Sequence, residues 1–171
     1  GEPEIFASVQ GEGPSAGKPC AFIRLSNCNL ACAWCDTAYT WDFVAHKRRA
    51  NQIMLSEADA AARIAALGQS RLVITGGEPL LQSPALARMI AALAEMRIEV
   101  ETNGTVAPTP QLDALIQQYN VSPKLAHSGN QILWKGRVFK CSREQRHRFG
   151  FNEVANGLLH QLLGGGVVDI E

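Results

Sequence analysis

A strand, loop and helix unit that recurs between Ser56 and Lys124 constrains the fold of this chain more than any other feature. The first helix is predicted to follow Ser56 as its N-cap, with acidic residues in the first turn and Gly68 as its stop. Alternating strands and helices form parallel sheets with right-handed crossovers, and functional groups collect at the carboxyl ends of the strands. The pattern therefore predicts an α/β protein with a site at that edge.

The remaining units are short apolar, β-branched runs that end at glycine, asparagine or proline. Strands are predicted at residues 71–75, 98–102 and 121–123, and helices from Ser83 as N-cap to about residue 96 and at 110–119. An earlier strand at 21–25 alternates so that Phe22 and Arg24 share one face. We expect Arg24 to point into a barrel interior.

The composition bounds the classes of protein to which this chain can belong. With 171 residues, 46% of them hydrophobic, it is long enough for one domain with its own core. Its 16 basic and 16 acidic residues cancel, which argues against a whole-domain electrostatic grip on nucleic acid or a membrane and favours a small polar substrate. The sequence shows neither a run of about eighteen apolar residues nor a secretory signal, so a cytoplasmic location is expected.

Three of the five cysteines, Cys28, Cys32 and Cys35, form a C-x3-C-x2-C motif in the loop after the strand at 21–25. Three thiolates this close can bind neighbouring irons of one 4Fe-4S cluster and leave the fourth iron open to the amino and carboxylate groups of S-adenosyl-L-methionine (SAM). The alternatives are a zinc site completed by a histidine or by Cys141, and three thiols without a metal. Zinc sites usually contain paired C-x2-C units, and the second pair is missing here.

The strand at 71–75 ends in a second motif, TGGEP, which spans residues 75–79. Glycines let a backbone approach a ligand closely, and the Glu78 carboxylate can accept a hydrogen bond from an ammonium group. Alone the motif would indicate an ordinary β-turn. Together with the cysteine motif it indicates a radical SAM site.

With both motifs in place, the sequence resembles the 7-carboxy-7-deazaguanine synthases of the radical SAM superfamily. The matching segments are residues 4–6, 10–13, 22–25, 28–37, 75–82, 101–104, 121–124 and 128–130. The resemblance implies a partial (β/α) barrel of the radical SAM type. It also implies the conversion of 6-carboxy-5,6,7,8-tetrahydropterin to 7-carboxy-7-deazaguanine with release of ammonia, a step of queuosine and 7-deazapurine biosynthesis. The implied cofactors are a 4Fe-4S cluster, recycled SAM and Mg2+.

The resemblance further implies a role for each matching residue, with no catalytic residue beyond the ligands of cofactor and substrate. Cys28, Cys32 and Cys35 would hold the cluster, and Thr37 would offer its hydroxyl to Mg2+. The SAM site would be lined by Trp34, Cys35, Asp36, Gly77, Glu78, Glu101, Asn103, Ser122, Pro123 and Lys124. The pterin would be faced by Val9, Gln10, Gly11, Glu12, Arg24 and Thr75.

Elementary chemistry supports two of these pterin contacts. An arginine inside a barrel needs an anion, and a substrate carboxylate is a planar, bidentate partner for Arg24. Glu12 can accept hydrogen bonds from the amino and ring nitrogens of a pterin. The alternatives are an Arg24 that pairs with a carboxylate of the protein and a Thr37 that only caps a turn.

The resemblance divides the chain into a radical SAM core at residues 1–130 and a divergent C-terminal segment of the same domain at 131–171. Between Lys135 and Arg148 six basic residues stand against Glu144 alone, which indicates a solvated basic face, and three glycines follow at 164–166. Helix and strand signals are sparse there, so we expect the segment not to complete a regular barrel. A groove left open in this way would uncouple SAM cleavage from product formation.

Three other functions fit parts of the sequence. A glycyl-radical enzyme activase also carries C-x3-C-x2-C, although the QGEG run at 10–13 with Arg24 favours a small substrate. A non-catalytic iron-sulfur or zinc binding module would leave the loops at 75–79 and 101–104 without a role, and a degenerate copy would fold without turnover. The expected partners are the pterin, a second copy in a homodimer that covers open sheet edges, and a flavodoxin-like or ferredoxin-like electron donor, with no nucleic acid and no membrane.

Overall fold

The computed structural model describes residues 2–124, 128–130 and 149–151, and within them one sheet carries the site. Its strands are β1 Ile5–Val9, β2 Pro19–Leu25, β3 Arg71–Gly76, β4 Arg97–Thr102, β5 Gln118–Val121 and β6 Phe149–Phe151. The helices are α1 Arg48–Asn51, α2 Glu57–Ala66, α3 Ser83–Ala91 and α4 Pro110–Asp113, with 3-10 turns at Gly13–Ser15, Ala38–Thr40 and Pro79–Gln82.

The strands follow one another in the sheet in chain order, which is the order of a (β/α) barrel. β1 pairs with β2 in antiparallel fashion, and every later described pair is parallel. In this register Arg24 of β2 lies beside Thr75 of β3, and Glu101 of β4 lies beside Asn120 of β5. The prediction of an α/β fold with a partial barrel is confirmed.

The apolar core lies between the sheet and the helices α2 and α3. Ile23, Ile74 and Val100 of the strands pack there with Ile64 of α2 and Ile90 of α3, and all five side chains are buried. Burial of each such side chain contributes roughly 1.5–3 kcal/mol. Because strand side chains alternate, the residues between these apolar ones face the opposite side, which is the interior of the partial barrel.

The interior face is polar where the core face is apolar. Arg24, Thr75, Glu101 and Asn120 alternate with the core residues along β2 to β5. Arg24 therefore points into the barrel interior, as the alternation in the sequence predicted. A row of polar side chains on this face is what a polar ligand would require.

The prediction of helix α2 is confirmed. Ser56 caps the helix, its Oγ accepting from the Asp59 N–H at 3.0 Å, and Gly68 follows the last turn with a φ of 64°. The strands predicted at 71–75 and 98–102 are β3 and β4. No helix in the described part of the chain is long and apolar enough to cross a membrane.

Helix α3 differs from its prediction at both ends. Gln82 occupies the N-cap position, while Ser83 is the first helical residue and its Oγ donates to the Leu80 carbonyl at 2.7 Å. The helix ends at Ala91 and not near residue 96. Turns with hydrogen bonds between residues i and i+3 replace it there, because the chain must reverse to enter β4.

The prediction of a helix at 110–119 is wrong for most of these residues. α4 ends at Asp113, and Tyr119 lies in β5. Strand pairing overrides helix propensity here, because Gln118 and Tyr119 are buried and pair with β4. The extended segment predicted at 121–123 therefore starts earlier, at Gln118.

One described strand lies beyond residue 130. β6 pairs with β5 in parallel, with Tyr119 beside Phe149 and Val121 beside Phe151. Three features noted in the sequence lie outside the described residues: the basic stretch at 135–148, Cys141 within it, and the glycines at 164–166. That the segment at 131–171 does not complete a regular barrel stays a prediction, as does the division at residue 130.

Candidate active site

A cavity of about 410 Å³ opens at the carboxyl ends of strands β2 to β5. Most of the site residues predicted from the sequence lie around it. Those that line the cavity are Val9, Glu12, Arg24, Cys28, Cys32, Trp34, Cys35, Asp36, Thr37, Thr75, Gly77, Glu101, Asn103, Ser122 and Lys124. The structure thus brings the cysteine motif, the TGGEP motif and the polar interior face into one space.

Four predicted residues lie outside the wall of this cavity. Gln10 is buried, and its Oε1 accepts from the Glu12 N–H at 3.1 Å, with the exposed Gly11 between them. Pro123 lies between two lining residues without lining the cavity itself, and the Glu78 carboxylate is enclosed by protein. Contacts of these four residues with the pterin or with SAM stay predictions.

The three cluster cysteines lie in the loop after β2, and other segments hold that loop. Asn27, at its start, has a left-handed backbone with a φ of 72° and donates its N–H to the Thr40 carbonyl at 2.7 Å. Further on, the Ala33 N–H donates to the Ser128 carbonyl at 2.8 Å. The loop is therefore anchored at its start and between Cys32 and Cys35, and its three cysteines are free thiols.

This donor set suits an iron-sulfur cluster. The three thiols surround one cavity, and soft thiolates are the usual protein ligands of the irons in such a cluster. Burial raises the pKa of the Cys28 thiol, so cluster binding at that residue displaces a proton.

The glycines of the TGGEP motif allow the end of β3 to pack directly against the cysteine loop. A Cβ atom on Gly77 would lie 2.1 Å from the Asn27 carbonyl oxygen and 3.0 Å from the Cys28 Cβ. Gly76 has a φ of 140°, and a Cβ atom there would lie 2.1 Å from the Leu25 carbonyl oxygen. Only glycine permits this contact at both positions.

The Glu78 carboxylate lies elsewhere than the sequence led us to expect. It is fully buried and accepts from the Thr102 hydroxyl at 2.8 and 2.9 Å, from the Asn103 N–H at 2.8 Å and from the Leu80 N–H at 3.0 Å. Burial raises its pKa, while these hydrogen bonds lower it. The carboxylate therefore ties the TGGEP loop to the end of β4 and does not face the cavity.

Arg24 has a protein partner at the cavity wall. Its Nε lies 2.6 Å from Glu4 Oε2, and the Tyr39 hydroxyl donates to Glu4 Oε1 at 2.7 Å. Pairing with a carboxylate of the protein, the alternative raised by the sequence, is therefore present. A guanidinium carries further N–H groups on its other edges, so Arg24 can hold a second anion in the cavity that it lines.

Glu101 is a half-buried carboxylate in the same wall. Burial raises its pKa and the Glu12 carboxylate adds to that effect, while the neighbouring Thr75 and Gln10 side chains and the charge of Arg24 lower it. A carboxyl group that is costly to ionise beside a cavity is typical of functional sites.

We expect Glu101→Gln to raise the melting temperature at neutral pH. A carboxyl whose pKa is raised on folding costs stability wherever both states are ionised. That cost disappears as the pH falls through the raised folded pKa toward the ordinary value of 4.5. Thermal unfolding across this range should therefore show a gain that shrinks as the pH is lowered.

The matched control for this prediction is Glu57→Gln. Hydrogen bonding to Arg88 lowers the pKa of Glu57 on the protein surface, so its replacement should not raise the melting temperature at neutral pH. If Glu101→Gln raised the melting temperature by the same amount at every pH, the gain would not come from the raised pKa of Glu101.

Trp34, Ser122 and Lys124 form another side of the cavity. The Lys124 ammonium lies 5.2 Å from the centroid of the Trp34 ring and donates to Ser122 Oγ at 2.8 Å. The Trp34 side chain is 51% exposed. A partly exposed ring of this kind offers a planar ligand a surface to stack on.

Reasoning from the sequence missed several residues of the cavity wall. Phe6 and Phe22 stack there with ring centroids 5.4 Å apart, and Trp41 and Asn120 also line the wall. Strand alternation identifies Asn120, because it shares a face with Ser122 two positions later. No spacing rule identifies Trp41. It directly follows the 3-10 turn Ala38–Thr40, and that turn places its side chain at the cavity.

Comparison with known proteins identifies relatives of this chain. A family model of the radical SAM superfamily matches residues 22–146 and so extends beyond residue 130. The 7-carboxy-7-deazaguanine synthase of Pyrobaculum aerophilum is 42% identical over 128 residues, which are 74% of this chain and 55% of the relative. The 7-carboxy-7-deazaguanine synthase of Neisseria meningitidis serogroup B is 37% identical over 128 residues, which are 73% of this chain and 53% of the relative.

A solved structure is also similar. The crystal structure of QueE from Escherichia coli matches with a TM-score of 0.63 and 29% sequence identity, covering 98% of this chain and 77% of that chain. The chain spans about half the length of the curated relatives it matches. Because the superfamily match covers most of the chain and includes both motifs that meet at the cavity, this chain belongs to the radical SAM superfamily.

Proposed function

We propose that this protein is a radical SAM carbon-nitrogen lyase that converts 6-carboxy-5,6,7,8-tetrahydropterin to 7-carboxy-7-deazaguanine with release of ammonia. The observation that carries the proposal is the cavity, in which Arg24 and Glu12 face the same space as the three cluster cysteines. A cation and a carboxylate suit a small substrate that has both an anionic group and N–H donors. The names of the relatives favour this activity over a glycyl-radical enzyme activase or a non-catalytic iron-sulfur or zinc binding module.

The cysteine side of the cavity would hold the cofactors. Cys28, Cys32 and Cys35 would bind the 4Fe-4S cluster, and the polar wall around Asp36 and Asn103 would receive SAM. When bound, the cluster and SAM supply one-electron chemistry that side chains cannot perform. The residues of this chain provide the binding, the orientation and the exclusion of water.

The strand side of the cavity would hold the substrate. Arg24 would bind its carboxylate, and Glu12, held through Gln10, would accept from the nitrogen donors of the pterin. Thr37 Oγ1 lies 3.6 Å from Cys35 Sγ on the wall between the two sides. It would offer its hydroxyl to Mg2+, with the remaining ligands supplied by substrate oxygens and water.

The proposal includes two protein partners. β1 lies at the edge of the described sheet, where it pairs with β2 alone among the described strands. An open edge strand favours a homodimer that covers it. A flavodoxin-like or ferredoxin-like protein of the cytoplasm would supply the electron that the cluster needs.

Anaerobic reconstitution of the cluster followed by product analysis tests the proposal. With a chemical reductant and SAM, 7-carboxy-7-deazaguanine should form when 6-carboxy-5,6,7,8-tetrahydropterin is added, and in excess over 5′-deoxyadenosine, because SAM is recycled. An activase would place a glycyl radical on a protein and would not consume the pterin. A protein that binds the cluster but forms neither product would be a binding module or a degenerate copy, and 5′-deoxyadenosine without deazaguanine would indicate an open groove.

We expect Arg24→Lys to weaken binding of the carboxypterin by about tenfold to a hundredfold. Lysine keeps the positive charge but loses the planar fork, so a charge-assisted hydrogen bond is lost. Anaerobic equilibrium titration of the reconstituted protein measures the affinities for the pterin and for SAM. The affinity for SAM should stay the same, and a fall in SAM affinity instead would move Arg24 to the cofactor site.

The surface variant Arg88→Lys is the matched control for this titration. Arg88 pairs with Glu57 between helices α3 and α2, at 2.7 Å, and both side chains are exposed. This exchange makes the same chemical change away from the cavity, so it should leave the pterin affinity unchanged.

A further inference from the structure

Each of the three cluster thiols has a side-chain N–H group aimed at its sulfur. The pairs are Trp41 Nε1 to Cys35 Sγ at 3.3 Å, Asn130 Nδ2 to Cys32 Sγ at 3.1 Å and Asn103 Nδ2 to Cys28 Sγ at 3.9 Å. The three donors come from separate loops of the chain. Two of them, Trp41 and Asn130, have no role in the proposed function above.

The indole of Trp41 is held in position for this bond by the turn before it. The Trp41 N–H donates to the Ala38 carbonyl at 3.0 Å, and the Thr40 hydroxyl donates to the Thr37 carbonyl at 2.8 Å. An indole has one polar hydrogen and no acceptor, so its N–H can only donate. In the described structure this donor is directed at Cys35.

The amide of Asn130 has its orientation fixed by its neighbours. Its Oδ1 accepts from the Ala31 backbone N–H at 2.8 Å, and a backbone N–H cannot accept. The NH2 group must therefore face the other way, where it lies 3.0 Å from Ser128 Oγ and 3.1 Å from Cys32 Sγ. The same side chain thus fixes the cysteine loop and donates to one of its thiols.

We propose that Trp41 and Asn130 are positioning residues that tune the iron-sulfur cluster through hydrogen bonds to the sulfurs of Cys35 and Cys32. A one-electron reduction places additional negative charge on a cluster and its thiolates. A donor directed at a thiolate stabilises that charge and so stabilises the reduced form more than the oxidised form. The two donors therefore raise the reduction potential and make the cluster easier to reduce. This inference requires the cluster of the superfamily and does not depend on the pterin as substrate.

The test compares two donor variants with two matched controls in the full chain. Trp41→Phe and Asn130→Leu remove the N–H groups that face sulfur. Tyr39→Phe removes a donor from the same turn that bonds to Glu4, and Gln82→Leu removes an amide that donates to the Ser26 carbonyl, just before the cysteine loop, at 2.9 Å. Each protein is reconstituted anaerobically without SAM or pterin. A redox titration followed by the electron paramagnetic resonance signal of the reduced cluster gives its midpoint potential.

At a fixed solution potential, the ratio of reduced to oxidised cluster should fall about tenfold in each donor variant, because a hydrogen bond to a charged group is lost. A tenfold change corresponds to a fall of about 59 mV for a one-electron couple. The two controls should keep the potential of the parent protein. An unchanged potential in donor variants that retain their iron overturns the proposal, and so does an equal fall in the controls.

Asn130→Asp separates the loss of the hydrogen bond to sulfur from a displacement of the cysteine loop, which Asn130→Leu could also cause. Aspartate keeps an oxygen for the Ala31 N–H but cannot donate to Cys32, and it adds a negative charge beside the thiolate. Its potential should therefore fall at least as far as that of Asn130→Leu. A potential equal to or above that of the parent protein would overturn the role of Asn130.

Discussion

Replacing Cys32 with alanine is expected to abolish the visible absorption and the bound iron of the anaerobically reconstituted protein. Cys32 is one of three thiols around the cavity at the carboxyl ends of the strands. With one thiolate missing, a second iron of the cluster lacks a protein ligand and the cluster no longer assembles or persists. The parent protein should bind about four irons per chain.

Cys20→Ala is the matched control, because Cys20 is also a free thiol but lies elsewhere. It is fully buried in β2, and its Sγ lies 3.8 Å from the Ser8 carbonyl oxygen. Removing its sulfur leaves a small gap in the packing around β2. The visible absorption and the iron content should stay as they are in the parent protein. Equal losses of iron from Cys20→Ala and Cys32→Ala would contradict the cluster assignment.

The cluster motif could be predicted from the sequence because it is local. Cys28, Cys32 and Cys35 lie within one loop, so their spacing alone places them together whatever the remainder of the fold does. Strand alternation was equally informative for Arg24, since the side chains of a strand have only two faces. In both cases the positions of neighbouring residues along the chain leave very few possible arrangements of their side chains.

Side-chain partners could not be predicted in this way. The Glu78 carboxylate was expected to face a ligand, but Thr102 and Asn103, more than twenty residues later, enclose it. Asn130 reaches Cys32 across a sequence separation of 98 residues. Contacts of this kind depend on how separate loops pack at the end of the barrel, about which a local pattern carries no information.

The ends of the helices depend on the same long-range packing. Helix propensity continues through residues 110–119, yet the buried side chains of Gln118 and Tyr119 belong to β5. Burial in the sheet and pairing with β4 outweigh a propensity difference of a few tenths of a kcal/mol per residue. Local preference therefore located the elements, and tertiary packing set their ends.

Gly77→Ala is expected to lower SAM affinity more than tenfold and to destabilise the fold by about 1–3 kcal/mol. The new Cβ atom would lie 2.1 Å from the carbonyl oxygen and 2.6 Å from the carbonyl carbon of Asn27. Both are backbone atoms, so no side-chain rotation relieves the clash. The two loops must separate, which breaks the hydrogen bonds from the Gly77 N–H to the Leu25 carbonyl at 3.0 Å and from the Glu78 N–H to the Asn27 carbonyl at 2.8 Å.

Gly11→Ala separates this steric effect from the general consequence of replacing a glycine. A Cβ atom on Gly11 would meet no atom of the described structure within 4 Å, so the melting temperature and the SAM affinity should stay at the values of the parent protein. Thermal unfolding and anaerobic SAM titration of the reconstituted variants measure both quantities. If Gly77→Ala kept the melting temperature and the SAM affinity of the parent protein, as Gly11→Ala should, the close contact between the TGGEP loop and the cysteine loop would not be needed for SAM binding. If Gly77→Ala lost SAM affinity but kept its iron, the two loops would be shown to act on SAM through their mutual packing, with the cluster cysteines unaffected.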